Sequence, residues 1–97
     1  MNQQQMIKLR KMQKQMMEAQ QKLEETVFTG TAGGNAVVVE VKGNHDVLSV
    51  KIDKEAIEDD LEMVEDMIVS AFNDAFKKID AESQKLLGGF GGGMGLF

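Results

Sequence analysis

Three groups of side chains in this 97-residue sequence are of types that do chemistry: one imidazole, a run of carboxylates and a cluster of cations. His45 is the only histidine, and it lies in a segment typical of a tight turn, where Gly43 and Asn44 tolerate positive φ. Catalysis needs a second acid, base or nucleophile close by, and the sequence indicates none. We therefore interpret His45 and Asp46 as turn residues, and we expect no catalytic residue and no enzyme activity.

The carboxylates are densest between residues 55 and 66, around the start of a predicted helix. Their spacing differs from that of an EF-hand loop, and neither paired histidines nor a Glu-x-x-His motif accompanies them. The chain has no cysteine, which excludes thiolate metal sites and disulfides. We interpret the run as helix caps and a solvated acidic face, and we expect no metal and no cofactor. Its members are Glu55, Glu58, Asp59, Asp60, Glu62, Glu65 and Asp66.

The cations are concentrated near the N-terminus. Residues 1–17 contain four basic residues and no acidic one, so their charge is +4. Residues 18–97 have a charge of −9, and the sum is the net charge of −5. Such an asymmetry is typical of a surface that binds an anionic partner, although a solvated helix face explains it equally well. The charge pattern therefore leaves both interpretations open.

These cations lie on a predicted helix over residues 3–25, which is rich in Gln, Lys, Met and Leu and has no Gly or Pro. An apolar seam runs along one side, and the basic residues cluster roughly opposite, with Ile7 among them. The seam is only about two and a half heptads long, so we expect the helix to dock on its own domain at one end and on a partner at the other. Its members are Leu9, Met12, Met16, Ala19 and Leu23.

Three strands are predicted in the middle of the chain. The first begins at Thr26–Thr29, and a hairpin loop is expected over Gly30–Asn35, whose glycine spacing matches no phosphate-binding motif. Ala36–Lys42 and Val47–Asp53 alternate along their length and flank a turn at 43–46. We expect an antiparallel meander with one strongly apolar face. In the last strand, the residues expected on that face are Leu48, Val50 and Ile52.

That face is expected to receive a helix over Leu61–Ile79, whose apolar residues form one stripe. Asp59 is expected to cap its first turn, with Glu62 completing a capping box. Six of the last ten residues are glycine, so we place one α+β domain at 1–87 and a flexible tail at 88–97. The stripe consists of Leu61, Val64, Ile68, Ala71, Phe72, Ala75 and Ile79.

A series of short segments in the second half of the chain carries a family resemblance. The segments are Gly43-Asn44-His45, Val50-Lys51-Ile52-Asp53, Glu65-Asp66-Met67-Ile68 and Ala71-Phe72-Asn73-Asp74-Ala75. With the Met- and Gln-rich first helix and the Gly/Met/Phe tail, they resemble the YbaB/EbfC family of small bacterial nucleoid-associated proteins. The resemblance implies a helix, a three-stranded sheet and a long helix, paired into a tweezer-like homodimer.

The resemblance also implies a cytoplasmic, nucleoid-bound protein that binds double-stranded DNA with low sequence specificity and acts in nucleoid organisation or gene regulation. No apolar run approaches the roughly 20 residues of a membrane span, so we expect no membrane partner, and no small-molecule substrate is evident. By charge and face, the phosphate contacts on the first helix would be Lys8, Arg10, Lys11, Lys14 and Lys22. Additional candidates on the last helix are Lys77, Lys78 and Lys85. An alternative, which the acidic net charge favours, is a protein-interaction adaptor without direct DNA binding.

Overall fold

The structure is a computed structural model that describes the backbone of residues 2–91 and the side chains of residues 2–88. Its elements are α1 (Gln3–Glu25), β1 (Val27–Ala32), β2 (Val37–Lys42), β3 (Val47–Ile52), α2 (Lys54–Asp59) and α3 (Leu61–Gly91). The strands form one antiparallel sheet in the order β1-β2-β3. The predicted α+β architecture is therefore confirmed.

Local sequence fixes both ends of α1. Asn2 caps the start, since its Oδ1 accepts a hydrogen bond from the Gln5 amide at 2.8 Å. Thr26 ends the helix, because its amide donates to the carbonyls of Lys22 and Leu23 and its hydroxyl donates to the Lys22 carbonyl at 2.6 Å. The predicted span of 3–25 is confirmed.

The core lies between α3 and the first two strands. Val37, Val39 and Val41 of β2 are fully buried, and Ala71 and Ala75 of α3 belong to the same cluster. Small residues on α3 allow its backbone to lie close to the sheet. The predicted apolar stripe is therefore the packed face of this helix, apart from its first member, Leu61, which is exposed.

The predicted loop over Gly30–Asn35 is wrong in its first half, because residues 30–32 belong to β1. Gly30 serves close packing here and not a turn. A Cβ at Gly30 would overlap the carbonyl oxygen of Ala71 on α3. The turn itself is confined to residues 33–36, where both glycines have positive φ.

The predicted alternation of β3 fails at Leu48. A register shift between Glu40 and Val41 places Val47 opposite Val41 and leaves Leu48 as the extra residue. A bulge of this kind interrupts the two-residue period of a strand. Helix α3 covers β1 and β2 but not β3, so apolar residues of β3 such as Val50 remain 41% exposed.

Asp60, and not Asp59, caps α3. The Asp60 Oδ1 accepts hydrogen bonds from the amides of Glu62 at 3.0 Å and Met63 at 3.4 Å. Asp59 is instead the last residue of α2. Because consecutive acidic residues occur here, sequence alone does not decide which of them caps the helix.

Helix α3 extends beyond both its predicted end at Ile79 and the predicted domain boundary after residue 87. It continues to Gly91, although glycine inside a helix is less favourable than alanine by about 0.5–1 kcal/mol. Residues 92–97 of the predicted tail lie outside the described residues.

Candidate nucleic-acid interface

The N-terminal part of α1 projects from the rest of the protein. Residues 2–15 are exposed on every face, whereas Met16, Ala19 and Leu23 further along the helix are half-buried. The molecule measures 68 × 24 × 15 Å, and its length exceeds the span of about 46 Å expected of α3 alone at about 1.5 Å per residue. We call residues 2–15 the arm, and the remainder of the described chain the body.

Backbone contacts hold the base of α1 against the β2–β3 turn. The Gly43 amide donates to the Thr26 carbonyl at 2.9 Å, and the Asn44 amide donates to the Glu24 carbonyl at 3.2 Å. A Cβ at Gly43 would overlap the carbonyl oxygen of Leu23. The direction of α1 is therefore set by close backbone packing, a role of Gly43 that its place in a turn-like sequence does not reveal.

The positive φ in this turn belongs to His45, at 74°, and not to Gly43 or Asn44 as predicted. The His45 amide donates to the Lys42 carbonyl at 2.8 Å. Its ring centroid lies 5.5 Å from that of Phe76 on α3. His45 therefore has a structural environment that links the turn to α3.

The arm presents a positively charged surface. Within residues 2–91, ion pairs join only Lys78 to Asp74 and Lys85 to Glu82. The arm itself contains no acidic residue, so none of its charge is neutralised by a neighbour within it. The structure thus brings four of the five predicted first-helix contacts together on one exposed element. They are Lys8, Arg10, Lys11 and Lys14.

Lys22 lies apart from these four, in the last turn of α1 and therefore in the body. It lines a groove of about 510 Å³ between α1 and the C-terminal half of α3. Lys85 lines the same groove, and its Nζ lies 3.3 Å from the Glu82 Oε1. The groove therefore joins a predicted contact of the first helix to one of the last helix. Its other lining residues are Ala19, Leu23, Thr26, Phe28, Glu82 and Leu86.

Lys78 is engaged with the body. Its Nζ donates to the Thr29 carbonyl at 2.7 Å and lies 3.4 Å from the Asp74 Oδ2. Asp74 also accepts a hydrogen bond from the Thr31 amide at 3.0 Å. The Thr31 hydrogen bond, followed by Lys78, holds the pKa of Asp74 below its ordinary value. Lys77 is exposed on the same helix.

Nearly the whole chain matches a known protein family. The sequence profile described as the YbaB/EbfC DNA-binding family matches residues 1–94. The chain belongs to the YbaB/EbfC family. The resemblance predicted from the short sequence segments is therefore confirmed.

Curated YbaB/EbfC relatives carry the name nucleoid-associated protein. The relative from Legionella pneumophila (strain Corby) is 45% identical and aligns over 77% of this chain and 67% of its own length. The relative from Agathobacter rectalis is 46% identical over 87% and 79%, and that from Ligilactobacillus salivarius is 43% identical over 91% and 86%.

A solved structure has the same fold as this YbaB/EbfC chain. The crystal structure of an uncharacterized protein from Helicobacter pylori matches it with a TM-score of 0.69 at 28% identity, covering 89% of this chain and 92% of that one. Among residues 2–91, no helix is both long and apolar enough to cross a membrane. In the same part of the chain, no three carboxylate or imidazole side chains are grouped as metal ligands.

Proposed function

We propose that this protein is a nucleoid-associated protein that binds double-stranded DNA through the arms of a homodimer, with low sequence specificity. The observation that carries the proposal is an arm with four cations, no acidic residue and every face exposed. Lys and Arg side chains that neutralise phosphates release counterions, which provides affinity independent of sequence. The description of the family and the names of its relatives support this function.

The other polar and charged residues are consistent with contacts to the sugar-phosphate backbone of DNA. Glutamines beside the cations, including Gln3, Gln4 and Gln15, can add hydrogen bonds to phosphate or sugar. The body carries the excess of negative charge, so it repels DNA and directs the duplex towards the arms. Such contacts position a protein on DNA without reading sequence, which suits a role in nucleoid organisation or gene regulation.

The strand that α3 leaves uncovered, β3, supports a homodimer. Val47 and Val50 of β3 are exposed, and Phe72 and Phe76 on the adjacent side of α3 are only partly buried. A chain of 97 residues buries a small core, and association of two copies commonly compensates for this. A two-fold pairing over this surface would also double the number of arm cations available to one duplex.

Two charge-matched variants test the proposal. Lys8→Glu/Lys11→Glu alters the arm, whereas Lys51→Glu/Lys54→Glu alters exposed lysines of the body; each takes the net charge from −5 to −9. Affinity for a 30-base-pair duplex is measured by fluorescence anisotropy at about 100 mM salt. We expect the arm variant to bind at least about tenfold more weakly than the body variant. Equal affinities for the two variants would overturn the proposal.

One observation favours the alternative function of a protein-interaction adaptor. Leu9 and Met12, at the N-terminal end of the predicted seam, are about two-fifths exposed on the arm, where a partner helix could pack. Affinity purification with and without nuclease separates the two functions. Recovery of DNA that nuclease removes supports DNA binding, whereas a stoichiometric protein that survives nuclease supports the adaptor.

A further inference from the structure

Ile7 is an apolar side chain at the centre of the basic face of the arm. It is 61% exposed, more than any seam residue of the same helix. At about 100° per residue, Lys11 lies about 40° from Ile7 around the helix axis on one side. By the same geometry, Lys14 lies about 20° and Arg10 about 60° from it on the other side. Ile7 is therefore flanked on both sides by the cations to which the proposed function assigns phosphates.

No packing role within the described chain accounts for Ile7. It is absent from the core cluster and from the half-buried residues around that cluster. The side of α1 that packs on the body is the one with Met16, Ala19 and Leu23, roughly opposite Ile7. Isolated exposed apolar residues are common on proteins, but this one lies where a bound duplex would remove it from water.

The dimensions of the arm favour the major groove. A helix with its side chains is about 10–12 Å wide, which fits the major groove at about 12 Å and exceeds the minor groove at about 6 Å. In the major groove, cations on both flanks of the helix reach the phosphates of the two strands. The side chain between those flanks then faces the base edges at the groove floor.

We propose that Ile7 contacts the C5-methyl groups of thymine in the major groove and so gives this protein a preference for DNA containing A·T pairs. The inference rests on the proposed function, because it needs the arm to lie on duplex DNA. The thymine methyl is the apolar group on the base edges of this groove, and the other edges present hydrogen-bond donors and acceptors. Ile7 has no polar group in its side chain to pair with those.

Two duplexes of the same sequence, one with thymine and one with uracil in its place, test the inference, because uracil lacks only the C5-methyl group. Wild-type protein is expected to bind the thymine duplex about fourfold more tightly per methyl contacted, equivalent to about 0.8 kcal/mol for one buried methyl group. Ile7→Ala is expected to bind both duplexes equally, at the wild-type affinity for uracil. Alanine also favours helix, so the arm stays folded, which circular dichroism checks.

Ile57→Ala is the matched control. Ile57 lies on α2, away from the arm, and is 45% exposed, so this variant should keep the wild-type preference for thymine. A wild-type protein that binds both duplexes equally, or an Ile7→Ala variant that keeps the preference, would overturn the inference while leaving DNA binding intact. Failure of the proposed function has a different result: neither duplex binds, or the arm charge reversal leaves binding unchanged.

Discussion

The carboxylate of Asp74 on α3 accepts a hydrogen bond from the amide of Thr31 on β1, with 3.0 Å between Oδ2 and N. Lys78, one turn further along α3, donates to the Thr29 carbonyl at 2.7 Å. β1 is an edge strand, and free strand edges recruit other chains. These two side chains therefore occupy hydrogen-bonding groups on the outer edge of β1, so the homodimer that we propose would pair through the β3 side of the protein.

Replacement of Asp74 with alanine should lower the Tm at pH 7. The hydrogen bond from Thr31, and then Lys78, hold the pKa of Asp74 in the folded protein below the ordinary value of about 3.9. The stabilisation is therefore fully present above about pH 5 and is lost as the pH falls through the lowered pKa. Calorimetry between pH 2 and 7 should show the Tm difference from wild type shrinking below pH 4. Asp66→Ala, at an exposed site on α3, serves as the control, and a difference independent of pH would contradict the assignment.

The same substitution should have opposite effects at two glycines. Gly30→Ala should lower the free energy of unfolding by about 2–3 kcal/mol, because the new Cβ overlaps the Ala71 carbonyl and displaces the α3 backbone. Gly88→Ala should raise it by about 0.5–1 kcal/mol, because this site is helical with open space around it. Urea unfolding at one protein concentration measures both. A Gly30→Ala variant as stable as wild type would contradict the close packing of β1 under α3.

Val50→Lys should prevent formation of the proposed homodimer and leave a monomer. Val50 is 41% exposed on β3 in the single chain, so a charge there blocks association more than it disturbs the core. Light scattering at micromolar concentration measures the mass, and circular dichroism checks that the helices remain. Val27→Lys is the matched control. Val27 is 46% exposed on β1, away from the proposed interface, so this variant should remain dimeric. A dimeric Val50→Lys variant would place the interface elsewhere.

Local sequence is sufficient to predict much of the fold. Amphipathic periodicity identified α1 and the packed face of α3, and alternation identified β2, because these patterns repeat over several turns or residue pairs. The misplaced features depend on contacts distant in sequence. The segment around Gly30 has the composition of a turn, but the role of Gly30 is set by its close contact with Ala71. The bulge at Leu48 is set by the pairing of β3 with β2.

The candidate site was predictable to a similar degree. Charge and helical spacing were enough to group the arm cations on one element. They could not show that Lys78 donates to the Thr29 carbonyl, 49 residues away, or that Lys22 and Lys85 line one groove. Nor could they show that Gly43 fixes the base of α1, since that depends on how the β2–β3 turn meets the helix.

The salt dependence of duplex affinity tests the role of the arm cations most directly. The slope of log Kobs against log salt concentration is about −0.9 for each phosphate neutralised. Between about 50 and 200 mM salt, we predict a wild-type slope between about −3.6, if the four cations of one arm neutralise phosphates, and about −7, if both arms of the proposed homodimer do so. The slope of Lys8→Glu/Lys11→Glu should be shallower by about 0.9 for each phosphate that the variant no longer neutralises, while Lys51→Glu/Lys54→Glu keeps the wild-type slope. An arm variant with the wild-type slope would contradict the assignment of these cations to DNA phosphates.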